Sequence, residues 1–322
     1  MKWTDGTWVK LAKALTACAL TLPILANATP LASFKTVFDT DFQAAGIGGM
    51  RNGDGTASLS LTGVSGTVTE AWLYWHGPTN VTDTPEAAIQ NVTFDGNDIT
   101  GEYLGISDDN CWGFANSVAY RSDVSGFVTG DKSYDLANFV QPNANINGVS
   151  LIVFFDDGDG TNNKDIVLFD GNDSNIANAF DPNGWDITLA GIDYDTGNAA
   201  MQMHVADGQS FLDDEVIVNG TNVANAGPVF QGTEAQDAGS GFPGNGLLWD
   251  IKEFDVTSLL SPGDNTLQMT TEVSADCLAC VLVAIELPAG AAPPTDVPEP
   301  SPLALLALGL LGIAIGRKRI QP

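Results

Sequence analysis

The chain has 322 residues, and its 12 Lys and Arg residues against 40 Asp and Glu residues give a net charge of −28. This acidity excludes nucleic-acid binding as a main activity, because phosphate backbones are held by clustered Lys and Arg. Hydrophobic residues make up 44% of the chain, which excludes a wholly disordered protein, and a low charged fraction of 16% with 35 glycines favours an all-β secreted protein.

The first 28 residues have the pattern of a secretory signal peptide. Lys2, Lys10 and Lys13 precede an apolar run over 14–25, and small residues at positions 26 and 28 form a cleavage motif. We predict a signal helix with cleavage after Ala28. Residues 29–295 then hold 6 basic and 37 acidic residues, so the exported part has a net charge near −31. Such a surface keeps a protein soluble and attracts divalent cations.

Strand patterns dominate the chain between residues 29 and 290. Apolar and polar residues alternate over 57–62 and 68–75, a hairpin turn is indicated at 95–98, and 149–155 is a nearly continuous apolar run. Further strands are predicted at 166–169, 201–205, 216–218, 267–271 and 281–287. Outside the two termini, no window longer than about ten residues shows a helical period. The sequence therefore predicts an all-β fold.

Three landmarks recur at a nearly constant spacing along this region. The hairpin at Asp95 matches Asn219, the Asp-Val-Ser turn at Asp123 matches Asp255, and the strand residue Ile152 matches Leu282, with offsets of 124, 132 and 130. We interpret the repeat as two jelly-roll-like β-sandwiches in tandem, over 29–172 and 173–290. One large sandwich whose halves share only turn chemistry is the alternative.

An Asp-rich loop over 156–165 is the candidate metal site. Asp156, Asp157, Asp159 and Asp165 place carboxylates around two glycines, which suits a hard cation such as calcium, the one cofactor that we predict. The loop is not an EF-hand, because Asn162 takes the position that needs Gly and no Glu closes the loop. A solvated turn between two apolar strands explains the same residues.

The cysteines and histidines offer little for catalysis. Cys111, Cys277 and Cys280 remain after removal of the leader, and export permits disulfides. We predict a local disulfide between Cys277 and Cys280, with a cross-link from Cys111 to one of them as the alternative. Three Cys with no nearby His do not make a zinc site. We interpret His76 and His204 as structural residues, equivalent in the two halves, since no nucleophile motif lies near either.

The C-terminal region contains a Pro-rich linker over 291–302 and an apolar stretch with a basic end over 303–322. The 13 apolar residues of 303–315 would span about 20 Å as a helix, which is short of the ~30 Å bilayer core unless flanking residues extend it. An ordinary membrane tail anchor is one interpretation. Two short motifs flank the apolar stretch. Pro298, Glu299 and Pro300 precede it in the linker, and Arg317, Lys318 and Arg319 follow it.

The order Pro-Glu-Pro, short hydrophobic helix and basic cluster resembles the PEP-CTERM sorting signal of Gram-negative bacteria. The resemblance covers about the last 26 residues, and three trailing residues after the basic cluster depart from it. It implies that the chain is the substrate of an exosortase-type processing enzyme. It also implies export, an inner-membrane precursor and a final place at the cell surface or outside the cell, alongside exopolysaccharide. The region before the tail resembles β-sandwich modules of unknown function in bacterial surface proteins.

We expect a structural or adhesive protein of an exopolysaccharide matrix that is not an enzyme and does not bind nucleic acid. The matrix role follows from the tail resemblance alone. The alternative is a carbohydrate-binding module, which requires an exposed row of aromatic residues such as Trp72, Trp75 and Trp112. A secreted hydrolase is a further alternative, and it requires two carboxylates with raised pKa values in a cleft.

Overall fold

The computed structural model describes residues 29–292, except 52–54, 109–110, 193, 195, 240–245 and 270–275. The predicted signal helix, its cleavage site at Ala28, and the sorting tail with its hydrophobic helix lie outside these residues. The described residues form 18 strands and one short 3-10 turn, Pro85–Ala87, with no α-helix among them. The all-β prediction is therefore confirmed. No helix in the described part of the chain is long and apolar enough to cross a membrane.

The strands divide into two sets in chain order. The first set is β1 (Thr29–Gly48), β2 (Ala57–Leu61), β3 (Thr67–Thr79), β4 (Asn91–Phe94), β5 (Asn97–Thr100), β6 (Glu102–Ser107), β7 (Asn116–Asp123), β8 (Lys132–Ala137) and β9 (Gly148–Asp156). The second set is β10 (Lys164–Ser174), β11 (Trp185–Ile192), β12 (Ala200–Ala206), β13 (Val216–Val218), β14 (Thr221–Ala224), β15 (Gln236–Asp237), β16 (Trp249–Asp255), β17 (Gly263–Met269) and β18 (Ala279–Pro288). We call these sets the first and second halves.

Each half contributes one inner and one outer sheet, and the strand order is the same in both halves. The inner sheets have the orders β1-β9-β3-β7-β6 and β10-β18-β12-β16, and the outer sheets have the orders β2-β8-β4-β5 and β11-β17-β13-β14. Without β6 and β15, each half has eight strands in corresponding positions. The hairpin, turn and strand landmarks that repeat in the sequence therefore occupy equivalent places in the two halves.

The first strand belongs to both inner sheets. Residues 29–40 of β1 pair with β10, and residues 41–48 pair with β9. The change of partner follows Asp39, whose φ of 50° is in the left-handed region. The two inner sheets are thus joined along one continuous strand.

The predicted boundary between residues 172 and 173 is corrected by this pairing. Strand β10 pairs with β18, and its Val167 and Phe169 lie in the core of the second half. The junction between the halves is therefore the loop over 157–163, and residues 29–40 belong to the second inner sheet. An apolar pattern shows that a strand is buried, but it does not show which sheet accepts the strand.

Three apolar cores separate four stacked sheets. The first core lies between the inner and outer sheets of the first half, the second core lies in the same place in the second half, and the third lies between the two inner sheets. Strand β3 shows the alternation, because Leu73 and Trp75 enter the first core while Tyr74 enters the third. The inner strands are buried on both faces, which explains the continuous apolar run in β9.

The inner sheets approach each other closely at a glycine. A Cβ atom on Gly148 of β9 would lie 2.6 Å from the side chain of Trp249 in β16. The Trp249 indole donates a hydrogen bond to the Ser150 hydroxyl at 2.9 Å, and Ser150 and His204 Nδ1 are 2.8 Å apart. A strand glycine here makes room for a large side chain from the opposite sheet.

Candidate functional site at the junction of the two halves

The Asp-rich loop is held by its own side chains. Asp156, Asp157 and Asp159 each accept a hydrogen bond from the backbone N–H two residues later, at 2.8, 2.7 and 3.1 Å. These contacts are Asx turns, which fold a loop without an ion. A hydrogen bond from the Thr161 hydroxyl lowers the pKa of Asp159. The solvated-turn interpretation accounts for all three carboxylates.

The fourth predicted ligand, Asp165, has a different role. Its side chain is fully buried and accepts hydrogen bonds from the backbone N–H groups of Asp39, Gly290 and Ala292, each at 2.9 Å. Asp165 thus fastens together the bend in β1, the start of β10 and the segment that leaves β18 toward the tail.

The predicted cluster of four carboxylates is therefore not formed. Across the residues that the structure describes, no group of three or more His, Cys, Asp or Glu side chains is placed to hold a metal ion. Asp165 is engaged by backbone donors from outside the loop, which sequence spacing could not reveal. Calcium binding by the three exposed carboxylates stays a prediction.

A polar groove of about 680 Å³ lies beside the loop. Its charged lining comes from Lys164 of β10, Glu253 and Asp255 of β16, and Glu286 of β18. Lys164 forms an ion pair with Glu286. Three carboxylates against one ammonium group make the groove acidic, and none of its lining residues is aromatic. The loop over 156–165, the groove and the segment over 288–292 lie at the same end of the molecule. We call this end the junction pole.

The opposite ends of the inner strands carry a buried ion pair between the halves. The Arg51 guanidinium lies 3.9 Å from the Asp207 carboxylate, and both side chains are almost fully buried. The Trp112 ring stacks on Arg51 at 4.1 Å and donates to Asp207 at 2.7 and 2.9 Å. Burial lowers the pKa of Arg51 to about 10, against the opposing influence of Asp207, so the group is charged at neutral pH.

The disulfide prediction is corrected at the same end. Cys277 is bonded to Cys111, with the Cα atoms 6.0 Å apart and a sequence separation of 166. Cys280 is a free thiol buried in the second core. Cys277 precedes β18, whereas Cys280 lies within that strand, so the C-x-x-C spacing does not bring the two sulfurs together. The disulfide links the two halves, as the sequence alternative had it.

The two histidines occupy corresponding strands, β3 and β12, and both are fully buried. His204 contacts Ser150 through Nδ1 and Gln202 through Nε2 at 3.0 Å. Burial lowers the pKa of each to about 3, with Arg51 adding to the effect at His76. The arrangement fits neutral structural side chains where the halves meet.

The aromatic residues do not form an exposed row. Trp75, Trp185 and Trp249 are fully buried. Trp72 packs edge-on against Phe34 at 5.0 Å, and Trp112 is occupied by Arg51 and Asp207. The linear platform that the carbohydrate-binding alternative requires is not found among the described residues.

Carboxylates with raised pKa values lie in the interior. Burial raises the pKa of Asp173 to about 8, of Asp276 to about 7 and of Asp213 to about 6. Asp213 and Asp276 accept backbone N–H groups, while the neighbouring carboxyl of Asp181 adds to the rise in the pKa of Asp173. The hydrolase alternative requires such carboxylates in a cleft. None of the three lines the groove at the junction pole, and none lines a second groove on the outer sheet of the first half.

Sequence reasoning missed the non-covalent polar contacts that join the halves. One is the ion pair of Arg51 with Asp207, and another is the ion pair of Arg121 with Asp170. Asp170 also accepts a hydrogen bond from the Tyr74 hydroxyl at 3.0 Å. One signal could have pointed to them. Only 6 basic residues remain in 29–295, so a basic residue next to a strand in this acidic chain was a candidate for a buried pair.

Comparison with known families gives two matches. Residues 55–287 match a protein family of unknown function, DUF3344, and residues 296–319 match the PEP-CTERM protein-sorting motif. The chain belongs to the DUF3344 family. The second match confirms the sorting-signal prediction, and it identifies an exported protein sorted to the cell surface and processed by an exosortase-type enzyme. No curated protein matches the chain.

Solved structures give only distant similarities. A β-porphyranase of glycoside hydrolase family 86 from the human gut bacterium Bacteroides plebeius is 12% identical over 81% of this chain and 37% of its own, with a TM-score of 0.23. The family 86 enzyme BuGH86, in complex with neoagarooctaose, is 12% identical over 80% of this chain and 34% of its own, with a TM-score of 0.22. The chain thus spans little more than a third of these enzymes, and scores this low say nothing about its activity.

Proposed function

We propose that this protein is a non-enzymatic structural or adhesive component of an extracellular polysaccharide matrix. The observation that carries the proposal is the PEP-CTERM motif over residues 296–319, which follows directly on a packed exported domain. Before processing, the apolar stretch over 303–315 holds the precursor in the inner membrane. After processing, the domain is released or attached at the cell surface.

The build of the domain supports a structural role. The repeated strand order supports the interpretation of each half as a jelly roll, and on that interpretation the two jelly rolls pack face to face. The disulfide between Cys111 and Cys277 and the buried pair of Arg51 with Asp207 both cross between the halves. The disulfide resists separation of the two halves, which suits a protein that bears load outside the cell.

Fractionation of cells with and without the processing enzyme tests the sorting step. We expect the intact precursor to accumulate in the inner membrane when the enzyme is missing, and the shorter mature form at the surface or in the medium when it is present. A variant that lacks residues 296–322 is the control for processing, because it should be exported but not retained. Equal amounts of mature form in both strains would contradict the proposal.

A second experiment tests the matrix role separately. The mature protein should be recovered with the extracellular polysaccharide of wild-type cells and should pass into the medium of a strain that makes none. Recovery in the medium of both strains would argue against a matrix role while leaving sorting intact. Loss of biofilm cohesion on deletion of the gene, with unchanged polysaccharide yield, would distinguish a structural protein from a hydrolase.

A further inference from the structure

The path of β18 decides where the sorting tail leaves the domain. Its last residue, Pro288, pairs with Lys164 at the junction pole, and the buried Asp165 side chain then holds Gly290 and Ala292. Ala292 is itself buried. The tail therefore leaves from a fixed point on the surface of the domain rather than from a loose end.

The length of chain beyond this point limits the reach of the processing enzyme. Six residues separate Ala292 from Glu299 of the sorting motif, and the seven Cα–Cα steps between the two span at most about 25 Å even when fully extended. Strand β18 is about 30 Å long, so the far ends of the inner strands lie beyond this reach. An enzyme that handles the motif must sit against or very near the junction pole.

The junction pole has the chemistry of an interaction surface. Its exposed carboxylates are Asp156, Asp157, Asp159, Glu253 and Asp255. Phe38, one of the few exposed large hydrophobic side chains among the described residues, lies in β1 just before the bend and is 38% exposed. An apolar side chain among carboxylates suits a partner surface that is basic around an apolar site.

We propose that the junction pole is the docking surface for the membrane-embedded processing enzyme, which approaches through a basic surface outside the membrane. The proposal rests on the processing step of the proposed function. In this arrangement the junction pole faces the membrane in the precursor, and the opposite end of the domain, where the exposed Phe211 and Leu212 follow β12, points outward. Asp165 is a positioning residue, because it sets the point from which the tail extends.

Site-specific cross-linking tests the docking surface in the full-length precursor. A benzophenone amino acid replaces Asp159 at the junction pole or, as the matched control, Leu212, which is 65% exposed and follows the opposite end of β12. Each precursor is produced in the same membranes as an inactive variant of the processing enzyme and is then cross-linked by irradiation. We expect an adduct with the enzyme from position 159 and little from position 212. Equal adducts, or an adduct from 212 alone, would overturn the proposal.

Lengthening the tether tests whether the fixed exit matters. A Gly/Ser insert of about 15 residues after Ala292 lengthens the tether roughly threefold, and the effective concentration of the motif at a docked enzyme should fall by about fivefold. We expect processing to slow by that factor and the adduct from position 159 to weaken. Unchanged processing with the insert would contradict docking of the domain.

Charge reversal supplies an independent readout. Glu253→Lys at the junction pole should slow processing several-fold, while the same change of charge in Glu215→Lys, next to Phe211 and Leu212, should not. Failure of the sorting step is separately visible, because the mature form would then appear equally in cells without the enzyme. If processing needs the enzyme but ignores both the insert and Glu253→Lys, only the docking surface is wrong.

Discussion

The carboxylate of Asp207 in the second half accepts the indole N–H of Trp112 in the first half, while the ring of Trp112 covers the Arg51 guanidinium that Asp207 neutralises. Trp112 thus shields the ion pair from water with its ring and hydrogen-bonds the Asp207 carboxylate with its indole N–H. Buried pairs of this kind are sensitive to the loss of one partner, because the remaining charge is left without compensation.

Asp207→Asn should therefore destabilise the protein strongly. We expect the free energy of unfolding to fall by about 3 kcal/mol, since Arg51 keeps its charge and loses the carboxylate that compensates it. The matched control is Asp95→Asn, which breaks the partly exposed pair with Lys132 and should lower the free energy of unfolding much less, because water already screens that pair. Urea unfolding of both variants measures the difference, and equal losses would show that the buried pair has no special weight.

The disulfide makes a prediction about both stability and chemistry. Peptide mapping without reductant should recover Cys111 linked to Cys277, and Cys280 should react with a thiol reagent only after unfolding, because it is buried. Cys111→Ser should lower the free energy of unfolding by about 2–5 kcal/mol, because the closed loop spans 166 positions. Recovery of a linked Cys277 and Cys280 would refute the observed pairing.

Local patterns in the sequence were enough for the repeat and for part of the strands, but they did not predict others such as β1, β11 and β16. Alternation and apolar runs depend on neighbouring residues, so strands such as Val149–Phe155 and the hairpin at Asp95 were predictable. The pairing of β10 with β18 and of Cys111 with Cys277 depends on how distant segments pack. For the same reason Asp165, which looked like a loop ligand, was assigned the wrong partners.

Calcium binding is now predicted for fewer residues. With Asp165 engaged elsewhere, an ion would have to draw together Asp156, Asp157 and Asp159, which do not form a metal-binding group in the structure, and add backbone or solvent oxygens. On that prediction, calcium raises the melting temperature relative to chelator, and the double variant Asp157→Asn with Asp159→Asn removes the rise. Asn keeps the Asx turns, so the fold of the loop is preserved. An unchanged rise in the variant would assign the effect to screening of the negative surface.

The pH dependence of stability follows from the buried acids and histidines. The pKa values of Asp173 and Asp276 are raised from 3.8 to about 8 and about 7, so the stability that their protonated forms confer is lost as pH rises through those values. The pKa values of His76 and His204 are lowered from 6.5 to about 3, so their contribution is complete above pH 6.5 and is lost as pH falls toward 3.

Above about pH 6.5 the acids therefore act alone, and we expect the free energy of unfolding to decrease between about pH 6.5 and 8.5. The slope approaches about 1.4 kcal/mol per pH unit for each proton that only the folded state holds. Asp173→Asn should flatten this slope, because the neutral amide does not titrate and the proton that only the folded state holds is removed. Asp159→Asn, at an exposed position, is the control and should leave the slope unchanged. Urea unfolding at a series of pH values measures the free energy of unfolding of the wild type and of both variants. A wild-type free energy of unfolding that increases between pH 6.5 and 8.5 would contradict the burial of these acids.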